Sequence, residues 1–206
     1  MRTAEVSRKT KETDIYIKLN LDGTGKSDIS TGIGFFDHML ISFAKHSFID
    51  LEVKVKGDLQ VDGHHSVEDT GIVLGEALKQ AFGDKAGIKR YGSCILPMDE
   101  TLVMCAVDMC GRPYFSYDLT FTMPKIGEID SELIREFFYA VSYSAAMNLH
   151  IRQLSGSNCH HIAEAAFKAF AKAVDEAKTV DPRVTGALLK NGAKSCSSEG
   201  STGDLQ

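Results

Sequence analysis

The amino-acid sequence predicts an α+β fold, in which each half of the chain forms a two-layer α/β sandwich with helices on one face of a sheet. Segments that alternate apolar and polar residues, as half-buried strands do, are interspersed with amphipathic segments of helical period. In addition, a His-His-x-x-Glu motif occurs once in each half, beginning at His64 and at His160. The motifs lie 96 positions apart in a chain of 206 residues, and an internal duplication of roughly 95 residues explains this spacing.

In the first half, alternation predicts a strand over 13–21, which the turn sequence at 22–25 ends. An apolar face predicts a short helix over 35–44, and alternation predicts another strand over 49–55. The first motif leads into a helix predicted at about 66–82.

In the second half, the pattern predicts two strands over 94–108 and 112–122 and a helix over 131–148, with Asp130 or Ser131 as N-cap. A short strand over 149–154 and a helix over about 160–178 follow. We interpret each half as strand, strand, helix, strand, helix, with antiparallel sheets. The domain expected is one catalytic unit over 1–190, built of repeats at about 1–90 and 91–190, with a Gly-, Ser- and Lys-rich tail at 191–206.

The composition is typical of a soluble globular protein. Hydrophobic residues make up 43% and charged residues 25%, and the net charge of −5 gives no reason to expect nucleic acid or an anionic membrane as a partner. No apolar run approaches the ~20 residues of a membrane span, and we expect no signal peptide. The five cysteines are odd in number and lack Cys-x-x-Cys spacing, which suits reduced thiols in the cytoplasm.

The two motifs place potential metal ligands on one helix face. Residues three and four apart share a face, so Glu68 lies beside His64 and His65, as Glu164 lies beside the pair at 160 and 161. A single such pair is more often a polar cap or a surface feature than a metal site. The repetition favours metal binding, and His and Glu ligands suit Mn²⁺, Fe²⁺ or Zn²⁺.

Each pair of histidines with its glutamate leaves a metal short of ligands. His38 lies 26 residues before the first motif, and Glu136 lies 24 residues before the second in a similar context. His150, on a predicted strand, is the alternative to Glu136, and we prefer Glu136. The shells can mix residues of both motifs and of different subunits.

Three basic residues are candidates for anion binding. Arg90 and Arg112 each lie at a turn bounded by glycine, and Lys168 lies one helical turn beyond Glu164. Each alone is more simply a surface charge. Beside a dinuclear metal site, however, they would form a phosphate pocket, since arginine suits bidentate phosphate recognition.

Over about residues 2–183, the sequence resembles the imidazoleglycerol-phosphate dehydratase family. The resemblance rests on six segments, two of which are the histidine motifs with their flanks: Arg8-Lys9-Thr10-Lys11-Glu12-Thr13, Phe36-Asp37-His38-Met39-Leu40, Asp62-x-His64-His65-x-x-Glu68-Asp69, Leu96-Pro97-Met98-Asp99-Glu100, Gly111-Arg112-Pro113-Tyr114 and Gly156-x-Asn158-x-His160-His161-x-x-Glu164-Ala165-x-Phe167-Lys168-Ala169. It implies a carbon–oxygen hydro-lyase that converts imidazole glycerol phosphate to imidazole acetol phosphate in histidine biosynthesis.

The resemblance also implies a cofactor, a fold and an assembly. The cofactor would be two divalent metal ions per active site, Mn²⁺ by expectation. Each half-domain would have a fold like the second domain of ribosomal protein S5, and the homo-oligomer would be a 24-mer with active sites between subunits. The ligands of one metal would be His64, His160, Glu164 and Glu136, and those of the other His38, His65, Glu68 and His161.

The remaining site residues also follow from the resemblance. Glu12 would contact the substrate and transfer protons, and the other residues taken as catalytic are His65, Glu68 and Glu164. Asp99 is a weaker candidate that could instead orient a histidine. Phosphate would be held by Arg90, Arg112 and Lys168.

Two positions depart from the family pattern. Many members have His where this chain has Glu136. Many also have a Ser/Thr-Lys loop after the last helix, for which Lys190 or Lys194 is the candidate replacement in this chain.

Two other functions fit a protein with paired metal sites. A dinuclear hydrolase would release phosphate from esters, whereas a dehydratase leaves phosphate on its product. A metal-storage or structural-metal assembly would have no organised phosphate site and no turnover. The motif set favours the dehydratase.

Overall fold

The first half of the chain forms a four-stranded sheet with two helices on one face. The strands are β1 (Thr3–Lys9), β2 (Thr13–Asn20), β3 (Ser27–Ser30) and β4 (Asp50–Gly57), in the order β1-β2-β4-β3. The helices are α1 (Gly34–Ser47) and α2 (His64–Phe82). The structure is a computed structural model that describes residues 1–186.

The second half repeats this arrangement. Its four-stranded sheet contains β5 (Tyr91–Met98), β6 (Thr101–Asp108), β7 (Tyr114–Asp118) and β10 (Asn148–Ser155), in the order β5-β6-β10-β7. Two helices follow the same plan, α3 (Glu132–Ala145) and α4 (Cys159–Lys178), and a small hairpin pairs β8 (Lys125–Ile126) with β9 (Ile129–Asp130). Each sheet therefore has the same strand order, and the fold is α+β.

Both sheets are mixed, so the expectation of purely antiparallel sheets was wrong. β3 pairs with β4 in parallel, and β7 pairs with β10 in parallel, while the other pairs in these sheets are antiparallel. The connecting helix explains the parallel pair, because a crossover through a helix brings the chain back in the same direction. α1 makes this connection in the first half and α3 makes it in the second.

The helices of the two halves pack against each other between the sheets. α2 packs on α3, and α1 packs on α4, while each helix pair also covers its own sheet. Fully buried aromatic rings fill the space between α1, α3 and α4, with ring centroids 4.8 Å apart for Phe138 and Phe167 and 5.3 Å apart for Phe36 and Phe137. Such edge-to-face and tilted contacts contribute beyond simple burial. The core thus joins both halves.

Two glycines of α2 allow its close approach to α3. A Cβ added at Gly71 would lie 2.7 Å from the Phe137 carbonyl oxygen, and one at Gly75 would lie 2.7 Å from that of Val141. Larger residues would push the helices apart, since packed interiors have little spare volume. This contact fixes the position of the helix that begins with the first histidine motif.

Within residues 1–186, no helix has both the length and the apolar character needed to cross a membrane. The domain limits expected from the sequence stay a prediction, and the proposed tail at 191–206 lies outside the described residues.

Candidate metal centre

Both histidine motifs begin a helix. Asp62 Oδ1 accepts a hydrogen bond from the His64 N–H at 2.8 Å, at the start of α2. Asn158, the N-cap of α4, accepts from the N–H groups of His160 and His161 at 2.9 and 3.3 Å. These bonds satisfy N–H groups that the first helical turn leaves free, which fixes where each helix starts. They therefore fix the position of each histidine pair in the first turn of its helix.

Of the two contacts that helical spacing predicts in each motif, the structure shows the one between residues four apart. His64 Nε2 lies 3.4 Å from Glu68 Oε2, and His160 Nε2 lies 3.0 Å from Glu164 Oε2. Residues four apart face each other across one helical turn. Each motif therefore presents one imidazole and one carboxylate as a pair.

His38 of α1 joins the pair formed by the second motif. Its Nε2 lies 3.4 Å from Glu164 Oε2, and ligand atoms of His38, His160 and Glu164 all lie within 4.8 Å of one another. Across residues 1–186, these three form the one group of at least three potential ligands that converges in this way. The packing of α1 on α4 brings them together, so both halves of the chain contribute.

The charge of Glu164 suits a metal ligand. Its side chain is only 9% exposed, and Lys168 Nζ lies 2.5 Å from its Oε1. Burial alone would raise the pKa of Glu164, but the bonds from Lys168, His160 and His38 and the Lys168 charge outweigh it and lower the pKa. An ionised carboxylate with two imidazole nitrogens fits Mn²⁺, Fe²⁺ or Zn²⁺ and leaves coordination positions open for further ligands.

The second histidine of each motif bonds a carboxylate through Nδ1. His65 Nδ1 lies 3.0 Å from Asp58 Oδ2, and His161 Nδ1 lies 2.8 Å from Glu100 Oε2. In metal sites, such an outer carboxylate fixes the ring orientation and leaves Nε2 for the metal. Sequence reasoning missed Asp58 and Glu100 in this role. It considered Asp99, whose carboxylate lies 3.7 Å from His161 Nε2 instead.

Replacing Glu100 by glutamine is expected to lower the pKa of His161. The hydrogen bond that His161 donates to Glu100, and then the charge of Glu100, raise the pKa of His161 above the ordinary value, because a carboxylate favours the charged imidazolium. The same bond holds the pKa of Glu100 far below its usual range. Histidine NMR titration of metal-free protein would measure the change. His65 is the internal control, because Asp58 maintains its raised pKa. An unchanged His161 pKa would contradict the conclusion that Glu100 raises it.

Within one chain, the expected metal ligands do not form the two sets of four that the family resemblance implies. His38, expected with the ligands of the other metal, lies with His160 and Glu164. Glu136 accepts from Arg135 Nη1 at 2.8 Å, and the His150 ring lies against Tyr114, with centroids 5.4 Å apart. Neither belongs to the converging group, so the assignment of ligands to metals stays a prediction.

The residues expected to contact the substrate lie in several parts of the chain. Arg90 donates to Asp108 through Nε at 2.6 Å and Nη2 at 3.0 Å, a bidentate pair that holds its buried guanidinium. The sequence analysis did not identify Asp108 as the partner of Arg90. Arg112 and Glu12 are exposed, and Lys168 pairs with Glu164. Lys190, like Lys194, lies outside the described residues.

The family model and the relatives that match this sequence have the same description. The family model described as Imidazoleglycerol-phosphate dehydratase matches residues 31–174. A relative of that name from Lachnoclostridium phytofermentans is 66% identical over 191 residues, which span 93% of this chain and 97% of the relative. Another from Acetivibrio thermocellus is 56% identical over 191 residues, spanning 93% of this chain and 98% of the relative.

Solved structures agree in fold. The crystal structure of imidazoleglycerol-phosphate dehydratase from Staphylococcus aureus has a TM-score of 0.79 at 40% identity, covering 87% of this chain and 99% of that chain. The structure from Pyrococcus furiosus has a TM-score of 0.76 at 37% identity, covering 87% of this chain and 96% of that chain.

Proposed function

The chain belongs to the imidazoleglycerol-phosphate dehydratase family, whose members are hydro-lyases of histidine biosynthesis, and we propose that its reaction requires bound divalent metal ions. The reaction is the dehydration of imidazole glycerol phosphate to imidazole acetol phosphate. The observation that carries the metal requirement is the convergence of His38, His160 and Glu164. Mn²⁺, with two ions per active site, is the ion that the family resemblance suggests, and His and Glu ligands suit it.

A homo-oligomer with active sites between subunits is part of this proposal. His64 and Glu68 form a pair with two donors, and the group around Glu164 offers three, so neither is a full shell of four or more ligands by itself. Ligands from a second subunit would complete both. A 24-subunit assembly and a cytoplasmic location complete the proposal, as the family resemblance suggests.

The chemistry needs both the ion and the protein groups. When bound, a divalent cation acts as a Lewis acid on the substrate's imidazole and eases loss of its ring proton. Glu12 would transfer the proton at the reacting carbon chain. Arg90, Arg112, Lys168 and Lys190 would hold the phosphate, and Asp108 keeps Arg90 oriented. Lys168 also contacts Glu164, so it would link the phosphate end of the site to the metal end.

Substituting the second histidine of either motif tests the ligand assignment. We expect His65→Ala and His161→Ala each to weaken metal binding by at least about 100-fold and to lower turnover accordingly, because even outer partners of metal ligands contribute about 10- to 100-fold. Metal content after gel filtration and the Mn²⁺ dependence of ketone formation would measure this. Glu76→Ala, at an exposed position farther along α2, is the control and should behave as the parent protein.

Full metal occupancy in both His65→Ala and His161→Ala would contradict the assignment of these two histidines as metal ligands. The same assay separates the dehydratase from a phosphoester hydrolase, because only the hydrolase would release free phosphate.

A further inference from the structure

Glu12 lies in an exposed turn between β1 and β2, where a side chain is free to move. A group that transfers protons must be held within hydrogen-bonding distance of the atom it serves, so the turn itself needs support. Thr10 closes the turn. Its N–H donates to the Thr13 carbonyl at 2.8 Å, and its Oγ1 accepts from the N–H groups of Glu12 at 3.1 Å and Thr13 at 2.9 Å.

A buried hydroxyl connects this turn to helix α2. Thr13 is 3% exposed, and its Oγ1 lies 2.5 Å from Asp69 Oδ2 and 3.2 Å from Thr10 Oγ1. A carboxylate only accepts hydrogen bonds, and a hydroxyl has one hydrogen to donate. Since Thr13 donates to Asp69, the Thr10 hydroxyl donates to Thr13. The hydrogen bonds therefore run in one direction, from the Glu12 N–H through both threonines to the carboxylate.

Asp69 is itself held next to the first histidine motif. It follows Glu68 on α2, and the Arg8 guanidinium forms an ion pair with its carboxylate. On its other side, Thr13 pairs in the sheet with Gly57, directly before the carboxylate that bonds His65. The turn that carries Glu12 is thus fixed to both elements that place His65.

We propose that Thr13 and Asp69 are positioning residues that hold Glu12 beside the metal-binding motif of α2. The inference rests on the proposed function, because it takes Glu12 as the group that transfers protons. Thr13 and Asp69 act through Glu12 and contact neither the substrate nor a reacting atom. Their loss is expected to lower the rate of the chemical step and to leave metal binding unchanged.

Substitutions at Thr13 separate its hydroxyl from its bulk. Thr13→Val keeps the size and removes the hydroxyl, and we expect it to lower kcat about tenfold, because small misplacements of catalytic groups can cost up to ~100-fold. Thr13→Ser keeps the hydroxyl and should restore most of the parent kcat. Thr70→Val is the matched control, since Thr70 is a fully buried threonine of α2 whose hydroxyl donates to the Ser66 carbonyl at 2.6 Å. It should leave kcat unchanged.

A double-variant cycle with Glu12→Gln gives the decisive readout. Glu12→Gln alone is expected to lower kcat about 100-fold. If Thr13 acts through Glu12, adding Thr13→Val lowers kcat by less than about twofold further, because coupled residues are not additive. The assay is ketone formation by Mn²⁺-loaded protein, with metal content and thermal unfolding measured in parallel.

Three outcomes would overturn the inference. A further tenfold loss in the double variant, or parent-like kcat in Thr13→Val, would do so while leaving the role of Glu12 intact. Parent-like kcat in Glu12→Gln alone would remove that role and the inference with it. If Thr13→Val does not fold, Asp69→Asn replaces it in the same cycle, since it loses the charge that pairs with Arg8 and keeps an oxygen acceptor. The same non-additivity is expected of it.

Discussion

Replacing Glu164 by glutamine is expected to remove most of the bound metal and nearly all turnover. Glu164 Oε2 is the atom that both His38 and His160 approach, at 3.4 and 3.0 Å. Glutamine has the same size but no charge, so the Lys168 cation would face a divalent ion without a carboxylate between them. We expect kcat to fall by at least about 10³-fold, because even outer partners of metal ligands commonly contribute 10- to 100-fold.

Glu176→Gln on the same helix is the matched control for this change. Glu176 accepts a hydrogen bond from the Ser93 N–H at 3.0 Å, and a glutamine oxygen can accept the same bond. This variant should keep parent-like metal content and kcat. Steady-state kinetics of ketone formation and metal analysis of the purified proteins would measure both. Parent-like values for Glu164→Gln as well would exclude Glu164 as a ligand.

Local spacing explains which parts of the site were predictable from the sequence. The pairs His64–Glu68 and His160–Glu164 depend on one turn of helix, and helical geometry alone places such residues side by side. The spacing of the motifs likewise indicated a repeat, and the two sheets have the same strand order. Periodicity over a few residues is a local property, and a sequence shows it directly.

Contacts that depend on loops and long-range packing were not predictable in this way. Glu100 reaches His161 from the β5–β6 turn, 61 positions away, and Thr13 meets Asp69 across 56 positions. No periodic pattern records such a contact. Likewise, His38 of α1 lies 3.4 Å from Glu164 of α4, a contact that depends on how these two helices pack.

There are physical reasons why some strands were not predicted from the sequence. The segment 94–108 was predicted as one strand, but it forms the hairpin of β5 and β6, because Asp99 turns the chain with a φ of 48°. No glycine or proline occupies this turn, so the usual signal is absent. β3 is only four residues long and has no buried residue, so it lacks the alternating burial of a longer strand.

Removing the metal is expected to have the second large effect, the complete loss of turnover. The imidazoles of His38 and His160 and the carboxylate of Glu164 would then have no cation to place on the substrate ring, and Glu12 alone would face a carbon-bound proton that is not acidic. Protein treated with chelator and then dialysed should regain turnover on addition of Mn²⁺. Protein dialysed without chelator is the control for losses in handling.

The most direct test of the metal requirement is therefore the turnover of imidazole glycerol phosphate by metal-stripped protein, before and after titration with Mn²⁺. We predict no ketone before addition, a rise that follows binding of up to about two ions per subunit, and no free phosphate at any stage. Turnover at the parent rate by protein verified to be free of metal would contradict the account, as would an inactive protein with two ions verifiably bound.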